Sequence, residues 1–413
     1  MLSSSLLVGI WLAFGGLNDP AAKTEHPAAA APGVEEKAGS TAATPHATAE
    51  KPAANTAKDK SAKSAKGSEA AKKEPPKREL PPEIANLRDR VRSTLAAYYK
   101  QPLNTRDFTA GEILVGCLPF GCQSEVDHDG QSINGITCLC WNYPCAGYEL
   151  LFNCDGHVGA RVGYGLQSYP GQMLAMLALS HVPAGYPLRA GNLVRNVADL
   201  VECEKLACRR GTSQSLRLAG LAHYVKKGVT WKDSLGQAWS IDRLVDEELR
   251  QPASAVPVGG MLRLVGLRVA VARHSPPKPV PDSPLDRALS FLNEYQRYAF
   301  RLQNSDGSWS VSIIDPRAKT NDALGQVRAS GYLTSWLTLS LPMPQLTRPE
   351  MVRAIDYLSQ SLGSDQVRWN LGSVDRAGLD GLMQALNALA TYDFRAFKPF
   401  DPPAEETKPA SGE

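Results

Sequence analysis

The chain has 413 residues, eight cysteines and a formal net charge of +3. That net charge argues neither for nor against nucleic acid, and no nucleic-acid partner is expected. The length allows more than one domain, but composition removes roughly the first fifth from any packed core.

Residues Leu6 to Leu17 form a 12-residue apolar run. It is short for a membrane span and suits the hydrophobic region of an export signal, with Ala13-x-Gly15 as a candidate cleavage site. Residues 1–17 are therefore read as a signal peptide or anchor, the location as exported, and membrane contact as confined to this segment. No Lys or Arg precedes the run, so a retained anchor stays open beside a cleaved signal. Residues 18–82 are rich in Ala, Lys and Pro, with no Phe, Trp or Tyr between Phe14 and Tyr98. Such a segment buries too little apolar surface to offset its ordering entropy and reads as a disordered tether spanning on the order of 45 Å. The last residues, 399–413, read as a disordered tail.

The stretch 111–161, rich in Gly, Cys and β-formers, reads as an insertion in the domain spanning 83–398. A short strand or hairpin is predicted over Ser132 to Trp141. Cys117, Cys122, Cys138, Cys140, Cys145 and Cys154 cluster here, while Cys203 and Cys208 stand apart. In an exported chain this clustering points to disulfides among the six, with reduced core thiols as the alternative. Their spacings do not match paired Cys-x2-Cys knuckles, so no metal is expected. Asp127-His128-Asp129-Gly130 reads as a turn.

Beyond this segment the chain repeats itself. Residues 215–223 align with 261–269 at an offset of 46, sharing Leu, Arg, Leu, Gly and Leu. An earlier copy places Gln172 and His181 as Gln214 and His223 are placed, and looser copies follow at Gly331 to Leu341 and Gly381 to Tyr392. Each copy is apolar on nearly every face, as a helix buried on two sides should be. Between them lie one-sided amphipathic helices over Val197 to Ala207, Ile241 to Gln251, Leu285 to Leu302 and Met351 to Leu362. Alternation at 40 to 50 residues predicts helical hairpins whose buried members form an inner ring or layer.

After the third amphipathic helix comes Gln303-Asn-Ser-Asp306-Gly307-Ser-Trp309. Gly307 permits a tight turn, Asp306 can bond its amides, and Gln303 is free to reach a neighbouring helix end. The segment reads as a structural clasp. It resembles the repeated Gln-Trp motif of the terpenoid cyclase and protein prenyltransferase superfamily, which implies an all-α fold, an α/α toroid of inner and outer helices, over about Tyr164 to Phe394. The stretches Leu139 to Cys145 and Tyr169 to Ala178 also resemble an uncharacterised bacterial family of exported toroid-like proteins.

The superfamily's proton-donating members use an Asp-x-Asp-Asp run, in which neighbours hold a carboxylic acid protonated. This chain has none, and no inner-helix cysteine for prenyltransferase-type zinc, so no cofactor is expected. Arg217 and Arg263 are equivalent by repeat and Arg328 opens another apolar helix. If they face the lumen they form a basic wall for an anionic glycan or cell-envelope component. If they face outward they pair with carboxylates such as Asp246, Glu247 and Glu248. His181 and His223 suit helix C-termini, where free carbonyls and the dipole favour them. Tyr169 and His223 are the candidate acids or bases, and Tyr148 and Tyr164 are boundary aromatics. The leading expectation is a binding or scaffold module, since fold alone confers no activity. A lyase or hydrolase acting on an anionic glycan is the enzymatic alternative, and terpenoid cyclisation a further one that lacks its acidic motif.

Overall fold

The computed structural model describes residues 81–252, 258–315, 318, 322–363 and 371–397. The apolar run at the start of the chain, the tether as far as residue 80 and the tail lie outside these residues. Among the described residues there are twelve α-helices and four small sheets, and no helix is long and apolar enough to cross a membrane.

The helices are α1 (Pro82–Tyr99), α2 (Ala110–Gly116), α3 (Gly135–Cys140), α4 (Gln172–Leu179), α5 (Val197–Leu206) and α6 (Ser215–Tyr224). They continue with α7 (Ile241–Arg250), α8 (Met261–His274), α9 (Pro284–Arg301), α10 (Ala323–Ser340), α11 (Pro349–Gly363) and α12 (Arg376–Ala396). The even-numbered helices pack in sequence, α4 on α6, α6 on α8, α8 on α10 and α10 on α12, and α12 also meets α2. Among the odd-numbered helices, α5 and α7 pack on α6, α9 on α8, α11 on α10, α3 on α2, and α1 on α11 and α12.

Neighbouring even-numbered helices run parallel and almost touch. A Cβ on Gly220 would lie 2.6 Å from the Leu174 side chain, one on Gly266 2.3 Å from the Ser215 carbonyl oxygen, and one on Gly331 2.6 Å from the Ala385 nitrogen. Such approach requires glycine, because any β-carbon would force the backbones apart. Burial follows: every residue of α6 from Ser215 to Ala222 is buried. By contrast α7 buries Ile241, Leu244, Val245, Glu247 and Glu248 and leaves its other face in solvent, the one-sided pattern of an outer helix.

The segment 111–161 differs from its sequence reading. It supplies helices α2 and α3, with a hairpin of β2 (Glu125–His128) and β3 (Gln131–Asn134) between them, after a two-residue β1 (Leu103–Asn104) that pairs with β2 in parallel. The strand expected over Ser132 to Trp141 ends at Asn134, whose side chain accepts from Thr137 N at 3.0 Å and starts α3. Helices of six and seven residues are too short to show a 3.6-residue period, so β-rich composition dominated the sequence reading. The device recurs. Strand β7 (Leu193–Asn196) pairs with β6 (Pro187–Ala190) and ends on the Asn196 cap of α5, and β9 (Ala238–Ser240) pairs with β8 (Thr230–Lys232) and ends on the Ser240 cap of α7. Each hairpin thus delivers the side-chain oxygen that starts the next outer helix. A fourth hairpin, β4 (Leu151–Cys154) with β5 (His157–Ala160), joins α3 to α4.

The Gln303 to Trp309 turn joins three helices. Trp309 is fully buried, donating its indole N–H to Ala299 O at 2.8 Å and its backbone N–H to Ser330 Oγ at 2.9 Å. Gln303 donates to Gly307 O and to Glu350 O in the first turn of α11, and Asp306 accepts from Ser308 N. Gly307 has φ +92° and lies so close to α11 that a Cβ would sit 2.3 Å from Arg353 O. The substitution Trp309→Ala is expected to cost ~3–5 kcal/mol of unfolding free energy, as large aromatic truncations do. Urea denaturation followed by far-UV circular dichroism checks this, and a loss below 1 kcal/mol, the order of one exposed hydrogen bond, would remove the turn from the core.

Candidate functional site

The even-numbered helices enclose a cavity of about 580 Å3. All six contribute to its wall, among them Leu114, Met176, Leu216, Leu262, Leu339 and Ala390. At the end formed by the C-termini of these helices, Cys122, Gln123, His181 and Phe394 are exposed, so the cavity opens there. At the opposite end it closes on Tyr169, Gln172, Tyr332, Asp380 and Gln384, which are buried or half-buried.

Helix α12 shapes the polar part. Asp380, Gln384, Asn387 and Thr391 recur at intervals of four, three and four residues, one stripe of a helix whose remaining residues from Ala377 to Ala390 are Leu, Ala, Gly and Met. All four border the cavity. Asn387 donates to Ser335 Oγ at 2.8 Å, tying the stripe to α10 halfway up the wall. At the closed end the Tyr332 hydroxyl donates to Asp380 Oδ2. Burial pushes the Asp380 carboxyl above its ordinary range, against the opposing pull of the Tyr332 hydrogen bond and of the Arg328 and Arg376 charges. Burial and the Asp380 charge likewise push Tyr332 well up and Tyr169 up. The Tyr169 hydroxyl makes no hydrogen bond among the described residues. Hydrogen-bonding groups thus run along the wall from Tyr169 and Asp380 at the closed end through Asn387 to Thr391 and Arg395 near the mouth, and a concave space of this size with several convergent polar groups has the form of a small-molecule pocket.

Arg217 and Arg263 do not border this cavity. Arg217 donates Nε to Glu204 Oε2 at 2.7 Å and a second nitrogen to Gln214 Oε1, with both members of the ion pair almost wholly buried. Arg263 lies 3.7 Å from Glu248 Oε2 and donates to Gln251 O at 2.8 Å. Glu248 also accepts from Gln214 N and from Ser215 Oγ. These two arginines therefore cross-link inner to outer helices, and the basic wall they would have formed is corrected to a buried Arg–Glu seam. Arg328 is different. It precedes Gly331 by three residues, as Arg217 precedes Gly220 and Arg263 precedes Gly266. Yet it has no carboxylate within ion-pair distance among the described residues, and its Nε is buried without a hydrogen bond. Its charge acts instead on Asp380, Tyr169 and Tyr332.

Of the candidate acids and bases, Tyr169 lies at the closed end and His223 does not border the cavity. His223 Nδ1 is 3.0 Å from Arg273 Nη2, and its ring centroid lies 5.9 Å from that of His181, which stands just past α4 with φ +56°. The helix-end carbonyl contact expected of His223 belongs to His274, whose Nε2 is 2.9 Å from Ala222 O. Tyr164 is exposed, and its ring meets Tyr148 edge-on outside the cavity. Asp127 accepts from Gly130 N in the β2–β3 turn.

The disulfides expected in the 111–161 segment are absent: all eight cysteines are free thiols. The nearest approach recorded is 4.0 Å between Cys138 Sγ and Cys145 Sγ, about twice the length of a sulfur–sulfur bond. Burial pushes Cys117 up to about 12, as befits a core thiol. Among the described residues no group of three or more His, Cys, Asp or Glu is placed to hold a metal ion.

Sequence reading missed Asp380, Tyr332 and Gln384. The signal was present as the stripe from Asp380 to Thr391, a polar spacing of helical period inside an apolar segment. No protein-family model, no curated protein and no solved structure matches the chain.

Two outcomes follow. Arg217→Ala should cost ~3–5 kcal/mol by leaving Glu204 buried and unpaired, whereas the double change Arg217→Met with Glu204→Leu should recover most of the loss; equal losses in paired urea titrations would refute the coupling. For His223, burial first, then Arg273 and His181, push the pKa down from 6.5 to about 4. The folded state favours the neutral ring, so its stabilisation is present above the unfolded value and lost as pH falls through the folded value. His223→Gln should flatten the stability curve between pH 6.5 and 4 in urea titrations, and an unchanged acid slope would contradict the burial of the ring.

Proposed function

We propose that the chain is an α/α-toroid binding domain whose lumen takes one elongated, mostly apolar small molecule. The toroid reading is supported by the consecutive packing of parallel even-numbered helices and by the odd-numbered helices that pack on them. The Gln303 to Trp309 clasp agrees with it. The observation that carries the function is the open lumen itself: about 580 Å3 of space whose wall mixes Leu, Met, Ala and Val with hydrogen-bonding side chains, among them Tyr169 and the Tyr332–Asp380 pair at the closed end. A purely structural toroid would fill that space with side chains, because a dry void of such size forfeits packing energy. As an exported module the chain would hold or carry its ligand.

A second reading has one observation in its favour. Asp380, raised by burial and hydrogen-bonded by Tyr332, has the character of a proton donor toward a bound molecule. The reading as a lyase or hydrolase of an anionic glycan has lost its support, since Arg217 and Arg263 are spent on Glu204 and Glu248.

The test is titration with Nile red, an uncharged dye that brightens in apolar surroundings. Saturable one-to-one binding is expected for the wild type. Val265→Trp, which fills the lumen from α8, should lower affinity at least about tenfold while leaving the circular dichroism spectrum unchanged. Absence of saturable binding by the wild type, or full retention in the filled variant, would overturn the proposal.

A further inference from the structure

We infer that the closed end of the lumen selects a ligand with an uncharged oxygen-bearing end group, a hydroxyl or a carbonyl, which enters first and lies among Tyr169, Asp380 and Gln384. The inference rests on the lumen reading above and adds to it the chemistry of the end group and its direction.

The groups bordering that end are two phenols, a carboxyl and two amides: Tyr169, Tyr332, Asp380, Gln384 and Gln172. Gln172 already accepts from Ser168 N at 2.8 Å, and the Asp380 carboxyl accepts from Tyr332. The Tyr169 hydroxyl is unspent, so one donor faces the cavity with a carboxyl and a carboxamide beside it. Hydroxyl and carbonyl groups suit that set, because each exchanges one or two hydrogen bonds without bringing a charge into an apolar enclosure.

Charged end groups fit poorly. No cation borders the closed end: the one Arg or Lys bordering the cavity among the described residues is Arg395, near the mouth, where it donates to Thr338 O and Leu341 O. Arg328 and Arg376 act on Asp380 from outside the wall, and Arg376 is bonded to Leu166 O and Ser168 Oγ. A carboxylate would thus meet a carboxyl with no counter-charge lining the site. An ammonium would meet Asp380, but in the field of two arginines and beside a carboxyl that burial already biases toward its neutral form. Losing hydration in either case is a penalty that the site does not return.

The experiment displaces Nile red from the full chain with decan-1-ol, decanoate and decylamine, three probes of one chain length and three charges. The alcohol is expected to bind about tenfold more tightly than either ion, the worth of one or two satisfied hydrogen bonds over a desolvated charge. Tyr169→Phe, with Asp380→Asn as the second variant, should remove most of that advantage, each probe's affinity being read relative to the same variant's affinity for the dye. Equal or tighter binding of decanoate or decylamine overturns the inference and leaves the lumen reading intact. An alcohol advantage that survives both substitutions also overturns it, because the end group then lies elsewhere. Failure of the dye and of all three probes overturns the lumen reading itself.

Discussion

Backbone contact between parallel helices sets the dimensions of this molecule. Where Gly266 and Gly331 face the backbone of the neighbouring helix, and Gly220 the Leu174 side chain, no room exists for a β-carbon, so α4, α6 and α8, and likewise α10 and α12, stand close together. That separation determines which side chains point inward to the cavity and which point back to the outer layer. The residue three positions before each of these glycines is an arginine, and the glycine contact fixes the direction of each. Two of them reach a glutamate on an outer helix, and the buried charge is neutralised between layers.

The third arginine marks where the repeat was put to another use. Arg328 retains the position but lacks the outer glutamate, and the carboxyl nearest to it electrostatically is Asp380 on the next inner helix. Among the described residues Arg328 makes no ion pair, and its charge instead opposes the rise that burial causes in the Asp380 carboxyl at the end of the cavity. Loss of regularity at one repeat of an otherwise regular array is where sequence-level consistency is expected to fail at a functional site.

The larger part of the helical plan was legible from the chain alone, because α5, α7, α9 and α11 carry one polar face each and α6 and α8 share Leu-Arg-Leu-x-Gly-Leu. The hairpins were not legible. Strands of three and four residues carry at most two alternations, too few to distinguish from loop, and their role as suppliers of Asn196 and Ser240 caps appears only once they pair. The direction of Arg217 and Arg263 was undetermined for a different reason: repeat equivalence says that two side chains point the same way, and is silent on which way. The polar end of the cavity forms no sequence motif, because no second carboxylate adjoins Asp380 in the chain, and Tyr332 and Arg328, which act on it, come from a different helix.

The two ends of the folded chain meet across the longest sequence separations in the molecule. Helix α1 holds α11 and α12 through Arg90 with Asp356 and Arg92 with Asp393, pairs separated by 266 and 301 residues. Contacts among α4 to α9 are between neighbours in sequence, so their loops close at small entropic cost, while the seam at α1 carries the largest. All of the repeats lie between Arg92 and Asp393, so the two ion pairs of that seam join residues whose separation spans most of the described chain.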